Sequence, residues 1–128
     1  MNPAYFETRF KTEQAFESWP TSFVIITARA TTGEQWTDAE NAEADEALER
    51  VLRARAGHMR RISGYSPKTG HDEPGWACEI PFGEACSIGM RFFQDAIYVV
   101  VEGTLHVTYC DARRSLVPVA LFLERLDA

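Results

Sequence analysis

The pattern of apolar and polar residues along the chain predicts alternating strands and helices. Residues 22–28, SFVIITA, are almost all apolar and rich in β-branched side chains, which is typical of a central strand buried on both faces. Residues 96–101, AIYVVV, predict a second such strand, and TLHVTY at 104–109 alternates apolar and polar positions as an outer strand does. Glu102 and Gly103 between these two strands predict a tight hairpin turn.

Two longer stretches carry the signals of helices. Thr37 and Glu40 have the spacing of a capping box, in which each side chain accepts a hydrogen bond from the other residue's backbone N–H. Apolar residues then recur at helical spacing over 44–52, and an acidic first half and a basic second half complement the helix dipole. Pro81 predicts the start of a second helix, at about 82–94. We expect its inward face to contain Phe82, Ala85, Ile88, Gly89, Phe92 and Phe93.

The stretch between the two helices predicts two further strands. Residues 59–66, MRRISGYS, form the first, with Gly64 as a candidate bulge. Residues 76–80, WACEI, form the second, and the turn-forming residues PKTGHDEPG at 67–75 separate the two strands.

The two ends of the chain leave alternatives open. Residues 4–10 are compatible with a strand or with a helical turn. In the segment 115–126, Pro118 excludes a central strand, so an edge strand and a short helix packed on the core are both compatible with the sequence.

These elements predict an α+β two-layer sandwich. The order β-α-β-β-α-β from residue 21 to 101 is the ferredoxin-like pattern, in which two helices cover one face of an antiparallel sheet. The hairpin adds a further strand at the edge. The length of the chain favours one domain over 1–128, with a core of about 21–109 and a C-terminal extension at 111–128.

Chain direction in this arrangement gathers the polar loops at one end of the sheet. The loop after the first strand, the start of the first helix, the loop at 67–75 and the end of the second helix all lie there. Polar groups on loops held by a rigid scaffold are a common place for function, so this rim is the predicted ligand site. Its candidate binding residues are Arg29, Asn41, Tyr65, Glu73 and Gln94, with His71 beside them.

Two of these residues also have a purely structural interpretation. Asn41 can brace the preceding loop from the first turns of the helix. Gln94 can tie its side-chain amide to the backbone in the turn before the next strand.

Composition narrows the possible functions. A net charge of −6 makes nucleic-acid binding unlikely as a function, since such binding relies on positive charge. The sequence carries no apolar run long enough for a membrane helix and no stretch of signal-peptide type, so we expect a cytoplasmic protein. Cys78, Cys86 and Cys110 lack the spacing of a disulfide framework or of a zinc site, and nothing in the sequence calls for a metal or a cofactor.

A succession of short motifs resembles a known family. SFVIITA (22–28), AEN (39–41), GY (64–65), EP (73–74) and FFQDAI (92–97) follow one another as in a bacterial family catalogued as domain of unknown function 3293. The similarity covers about residues 4 to 107 and implies a small cytoplasmic domain with no established activity. No catalytic residue can therefore be transferred from it.

This chain departs from the family pattern at two places. Similar sequences tend to have an aromatic residue and then Asn-Pro after the Thr-Ala pair, where this chain has Arg29 and Ala30. The stretch after Asp111 is an addition to the pattern.

Three functional hypotheses follow. The first is a ligand-binding or protein-interaction module, in which LVPVALFL (116–123) forms a homodimer strand or a swapped arm, unless it packs on its own sheet. The second is a small enzyme at the rim, with Glu73 as general base, Arg29 holding an anionic substrate, and the two amide side chains orienting it. The third is a nucleic-acid mimic or immunity protein, which the acidic helix face at 38–49 suggests.

Overall fold

The structure, a computed structural model, describes residues 1–15, 18–30 and 35–127. Its strands are β1 (Arg9–Lys11), β2 (Phe23–Thr27), β3 (Met59–Tyr65), β4 (Asp72–Cys78), β5 (Ala96–Val101), β6 (Thr104–Tyr109) and β7 (Val117–Leu121). The helices are an N-terminal 3₁₀ helix (Pro3–Phe6), α1 (Asp38–Arg53), α2 (Phe82–Arg91) and the short α3 (Phe122–Arg125). The predicted break after the first strand, at Thr31, Thr32 and Gly33, lies outside the described residues.

All seven strands form one antiparallel sheet in the order β1-β3-β4-β2-β5-β6-β7. The predicted α+β class and antiparallel sheet are thus confirmed. The strand order of the whole sheet differs from the predicted one, which was a ferredoxin-like sheet with one added hairpin strand. The difference arises because the two ends of the chain each add an edge strand: β1 pairs with β3, and β7 pairs with β6.

One face of the sheet is covered by α1 and α2. The predicted capping box is present, since the Glu40 N–H donates to Thr37 Oγ1 at 3.1 Å and the Thr37 N–H donates to Glu40 Oε1 at 3.0 Å. Burial follows the predicted period, because Leu48 and Leu52 of α1 are fully inaccessible and pack against the sheet. The amphipathic pattern therefore identified this helix and its inward face correctly.

Helix α2 is shorter than predicted. It ends at Arg91, and Phe93 then adopts the left-handed conformation with φ +60°. The Phe93 N–H donates to the Met90 carbonyl oxygen and the Gln94 N–H donates to the Gly89 carbonyl oxygen, which together make a Schellman motif. This turn directs Phe93 outward, where 70% of it is exposed, so the prediction that Phe93 faces the core is wrong.

The two glycines of α2 differ in their surroundings. A Cβ on Gly89 would lie 2.6 Å from the Cys110 sulfur and 3.1 Å from Ile97 Cγ2, so the glycine permits close packing of helix on sheet. A Cβ on Gly83 would meet no atom within 4 Å. Close packing thus accounts for Gly89 but not for Gly83.

The hairpin of β3 and β4 corrects two further predictions. Strand β4 begins at Asp72 and not at residue 76, and it includes Pro74. A proline is tolerated there because β2 pairs with β4 only as far as Gly75, so no ladder bond to β2 is lost at Pro74. Gly64 is not a bulge, since the register runs without a shift along the whole hairpin.

The second face of the sheet is covered by the two ends of the chain and by Trp19. Phe10 and Phe122 are 1% and 2% exposed and belong to a separate core cluster on this face. The ring centroid of Phe122 lies 5.1 Å from those of Trp19 and Phe23. The C-terminal segment therefore packs on its own sheet, first as the edge strand β7 and then as α3, so it combines both alternatives that Pro118 left open.

Candidate functional site

A cavity of about 160 Å³ opens at the end of the sheet where β2 ends and β5 begins. It lies on the face opposite α1 and α2, because Phe10, Ile25 and Tyr98 of its wall belong to the second core cluster. Strands β2 to β5 form one side, and the N-terminal segment forms the other. We call it the rim cavity, and its polar wall consists mainly of Tyr5, Thr8, His71, Glu73, Asp95 and Tyr98.

Two small residues of the sheet shape the wall of the cavity. Gly64 lies beneath that segment, and a Cβ there would be 3.3 Å from Thr8 Cγ2 and 3.4 Å from Phe10 Cε1. Ala96, at the start of β5, is a second small residue of the wall. Gly64 thus lets the N-terminal segment pack closely on β3, and the small side chain of Ala96 leaves space at the wall.

Hydrogen bonds from the sheet hold the N-terminal segment over the cavity. The Tyr98 hydroxyl donates to the Tyr5 carbonyl oxygen at 2.7 Å and lies 2.9 Å from Thr8 Oγ1. Burial is the main cause that raises the pKa of Tyr98, so it stays a neutral hydrogen-bonding group. From the C-terminal segment, the Arg125 guanidinium donates to the Phe6 carbonyl oxygen at 2.8 Å.

A second clamp joins the same two ends of the chain. The Tyr65 hydroxyl donates to the Asp127 carboxylate, and the Arg9 Nε donates to Asp127 Oδ1 at 3.0 Å. The hydrogen bond from Tyr65 and the bond from Arg9 hold the pKa of Asp127 below its usual value. Tyr65 thus lines the cavity while its hydroxyl serves to fasten the C-terminal segment.

The structure brings the predicted site residues to one end of the sheet. Tyr65, Glu73 and Gln94 line the rim cavity, whereas Arg29 and Asn41 are not among its described lining residues. Residues 31–34 of the predicted rim loop lie outside the described residues. That the five residues bind a ligand stays a prediction.

Gln94 and Asn41 both brace the loop that follows β2. Gln94 Nε2 donates to the Arg29 carbonyl oxygen at 2.7 Å, and Gln94 Oε1 accepts from Thr27 Oγ1 at 3.1 Å. Asn41 Oδ1 accepts from the Ala30 N–H at 3.1 Å. These are the bonds of the structural interpretation, and they hold residues 29–30 at the edge of the cavity, which Ala30 lines.

Negative charge dominates the mouth of the cavity. Glu73 and Asp95 both line it, and Glu73 Oε1 lies 3.3 Å from Nε2 of His71. Burial raises the pKa of Tyr5, and the carboxylates of Asp95 and Glu73 raise it further. The two carboxylates therefore act on the same hydroxyl. No lysine or arginine is among the described residues of the wall.

Sequence reasoning missed Tyr5, Thr8 and Tyr98. The first two lie in a segment whose position depends on contacts with a residue 90 or more positions away. One signal was present: Tyr98 carries a hydroxyl within the otherwise aliphatic run AIYVVV, and a buried tyrosine hydroxyl usually has a partner.

The cysteines do not contribute to this site. All three are buried free thiols, and burial raises the pKa of Cys78 and of Cys110 to about 12. Within the described ranges, no group of three or more His, Cys, Asp or Glu residues is placed to hold a metal ion. Nor does this part of the chain contain a helix long and apolar enough to cross a membrane.

A second concavity, of about 380 Å³, lies on the helix side of the sheet. It is a shallow groove between α1 and the end of α2, lined by Trp36, Ala44, Phe92 and Phe93 among others. We place the candidate site in the rim cavity because that cavity is the more enclosed of the two and lies at the predicted rim.

Comparison with known proteins agrees with the resemblance seen in the sequence. A family model described as protein of unknown function (DUF3293) matches residues 26–97, more than half of the chain. The match spans α1, α2 and the Glu73 and Gln94 side of the rim cavity. No curated protein and no solved structure gives a significant match. The chain therefore belongs to the DUF3293 family of proteins of unknown function.

Proposed function

We propose that this chain is a small-molecule binding module whose site is the rim cavity. The observation that supports this most directly is a partly enclosed space of about 160 Å³ with polar groups at its mouth. A cavity of about 150 Å³ in a protein can accommodate benzene, so the size suits a ligand with roughly six to eight non-hydrogen atoms. Enclosed pockets with an apolar wall and a few polar groups are the usual form of such sites.

The packing of the second sheet face favours this function over a protein-interaction module. An interaction through an open sheet face would need a large exposed apolar patch there. Phe10, Phe23 and Phe122 instead bury that face beneath the chain's own ends. A homodimer or a protein partner stays a prediction, without the support of an open face.

We also propose that the inner part of the fold is a ferredoxin-like unit. Strands β3, β4, β2 and β5 are neighbours in this order, each pair is antiparallel, and α1 and α2 connect them. On this view the edge strands are additions that carry the N-terminal segment and the C-terminal segment to the second face.

The test combines ligand retention with a variant that fills the cavity. Native mass spectrometry of the protein purified from its host is expected to show a retained small molecule. Ala96→Leu adds three carbon atoms at the cavity wall and is expected to abolish retention. Ala42→Leu is the matched control, because Ala42 is exposed on α1 and does not line the cavity.

A circular dichroism melt shows whether both variants remain folded. The proposal is rejected if folded Ala96→Leu retains the same molecule as the wild type. It is also rejected if the wild-type mass is that of the bare chain and no compound in a library of molecules of benzene's size changes the melting temperature. A ligand present at a hundred times its Kd would stabilise the folded protein by about 2.7 kcal/mol, which such a melt detects.

The pair formed by His71 and Glu73 keeps the enzyme hypothesis as a second candidate. A carboxylate beside an imidazole at a cavity mouth can act as a general acid or base on a bound substrate. The enzyme hypothesis also assigned an anionic substrate to Arg29. That part has no support, because Arg29 is not among the described wall residues. Mass spectrometry distinguishes the two functions: a binding module returns its ligand unchanged, and an enzyme returns a product.

A further inference from the structure

We propose that the ligand of the rim cavity is a small organic cation, namely an ammonium group attached to an apolar body of about the size of benzene. This inference rests on the proposed function and specifies its ligand class. Four features of the described wall support it: its charges, its aromatic rings, its apolar depth and the state of its other polar groups.

The charges of the wall are negative. Glu73 and Asp95 both line the cavity, and both carboxylates raise the pKa of the Tyr5 hydroxyl, which lines it too. The side chain of Glu73 is 37% exposed. Asp95 directly precedes the first residue of β5. Two arginines near the wall have partners within the protein: Arg125, near Tyr98, binds backbone oxygens of the N-terminal segment, and Arg113, near Asp95, pairs with Asp111 at 2.8 Å.

The deeper wall suits a cation with an apolar body. Phe10 and Tyr98 meet edge to face with ring centroids 5.2 Å apart, and Tyr5 and Tyr98 do so at 6.4 Å. Aromatic faces attract cations within about 6 Å of the ring centroid. Ile25, whose side chain lies on the same face of the sheet, adds an aliphatic surface on which an apolar body can pack.

Two further polar groups of the wall are already bonded within the protein. The amide of Gln94 is bonded to Thr27 and to backbone carbonyl oxygens, and the hydroxyl of Tyr98 is bonded to the N-terminal segment. The two carboxylates are the charged acceptors of the described wall, so we assign the ammonium head of the ligand to them. Carboxylates accept charge-assisted hydrogen bonds from an ammonium group and repel an anion.

The experiment uses three probes of similar shape and different charge: benzylammonium, benzyl alcohol and benzoate. Titration calorimetry on the full chain at pH 7 and 0.15 M salt is expected to give a Kd for benzylammonium about tenfold lower than that for benzyl alcohol. Benzoate is expected to show no binding.

Two isosteric variants locate the preference. Glu73→Gln and Asp95→Asn are each expected to raise the Kd of benzylammonium about tenfold and to change that of benzyl alcohol less than twofold. Glu46→Gln is the matched control, because it removes the same charge from an exposed position on α1 outside the cavity. It is expected to leave both constants unchanged.

The possible outcomes separate this inference from the proposed function. Equal binding of the three probes, or preferred binding of benzoate, overturns the cation class. If the probes bind in one of these two ways and Ala96→Leu abolishes their binding, the proposal of a binding module is retained and only the cation class is rejected. If no probe binds, the cation class is overturned too, and the retention experiment decides on the binding module. A loss in Glu73→Gln equal to that in Glu46→Gln overturns the role of the cavity carboxylates.

Discussion

Truncation of Phe122 tests whether the C-terminal segment belongs to the folded core. Phe122 is 2% exposed, and its ring centroid lies 5.1 Å from Trp19, 5.1 Å from Phe23 and 6.0 Å from Phe10. Replacing a buried phenylalanine by alanine costs about 3–5 kcal/mol, and each aromatic contact contributes about 0.5–1.5 kcal/mol beyond area burial. We expect Phe122→Ala to lower the free energy of unfolding by about 3–5 kcal/mol.

A loss of this size is a large part of the stability of a single domain, which is typically about 5–15 kcal/mol. Urea denaturation followed by circular dichroism measures it as a lower midpoint at an unchanged slope. Leu123→Ala is the matched control, because Leu123 is the next residue and is 69% exposed, so its cost is expected to stay below about 0.5 kcal/mol. Equal costs for the two variants would refute the assignment of this segment to the core.

Three further predictions address the helix packing, the loop brace and acid titration. Gly89→Ala is expected to destabilise the protein by about 1–3 kcal/mol, because its Cβ would lie 2.6 Å from a buried sulfur. Gly83→Ala, with open space around it, is expected to stabilise the protein by up to about 1 kcal/mol. Urea midpoints that move in the same direction for the two variants would contradict this. Gln94→Ala is expected to cost about 1–3 kcal/mol in the same assay, because it leaves loop carbonyl and hydroxyl groups without their partners, and a neutral effect would show that the brace is dispensable. The hydrogen bonds from Arg113 lower the pKa of Asp111 to about 2. The contribution of this carboxylate to stability is therefore present above about pH 4 and is lost as the pH falls toward 2. The carboxyl chemical shift of Asp111 is expected to report this pKa, and Arg113→Gln is expected to return it toward 3.8.

Much of the fold could be predicted because its signals are local. The capping box at Thr37, the helical spacing through Leu52 and the hairpin at Gly103 each depend on residues within a few positions of one another. The errors arise where a distant strand or a competing local turn overrides the pattern. Pro74 is typical of a turn, but β4 continues through it because β2 ends at the neighbouring position. Phe93 fits the apolar face of α2, but the Schellman motif turns it outward.

The site was predicted in part for the same reason. Chain direction alone is enough to bring Glu73 and Gln94 to one end of the sheet, and the structure places both in the wall of one cavity. The N-terminal side of that cavity could not be predicted, since a hydrogen bond between Tyr98 and Tyr5 positions it across 93 residues of chain. Asn41 shows the opposite case, because its bond to Ala30 satisfies a local structural role that the sequence already allowed.

The charge and the closure of the rim cavity come from different parts of the chain. Glu73 and Asp95, which give the mouth its negative charge, lie inside the segment that matches the family model. Tyr5 and Phe10, which close the cavity, precede the matched segment. They are held by Tyr98 and by the C-terminal segment, which also lie outside the matched segment. If the proposed function holds, the family segment therefore supplies the charge that selects a ligand, and the ends of this chain set the size that the cavity accepts. Loosening the packing at Phe122 should for this reason affect the fit of the apolar body more than the preference for a cation.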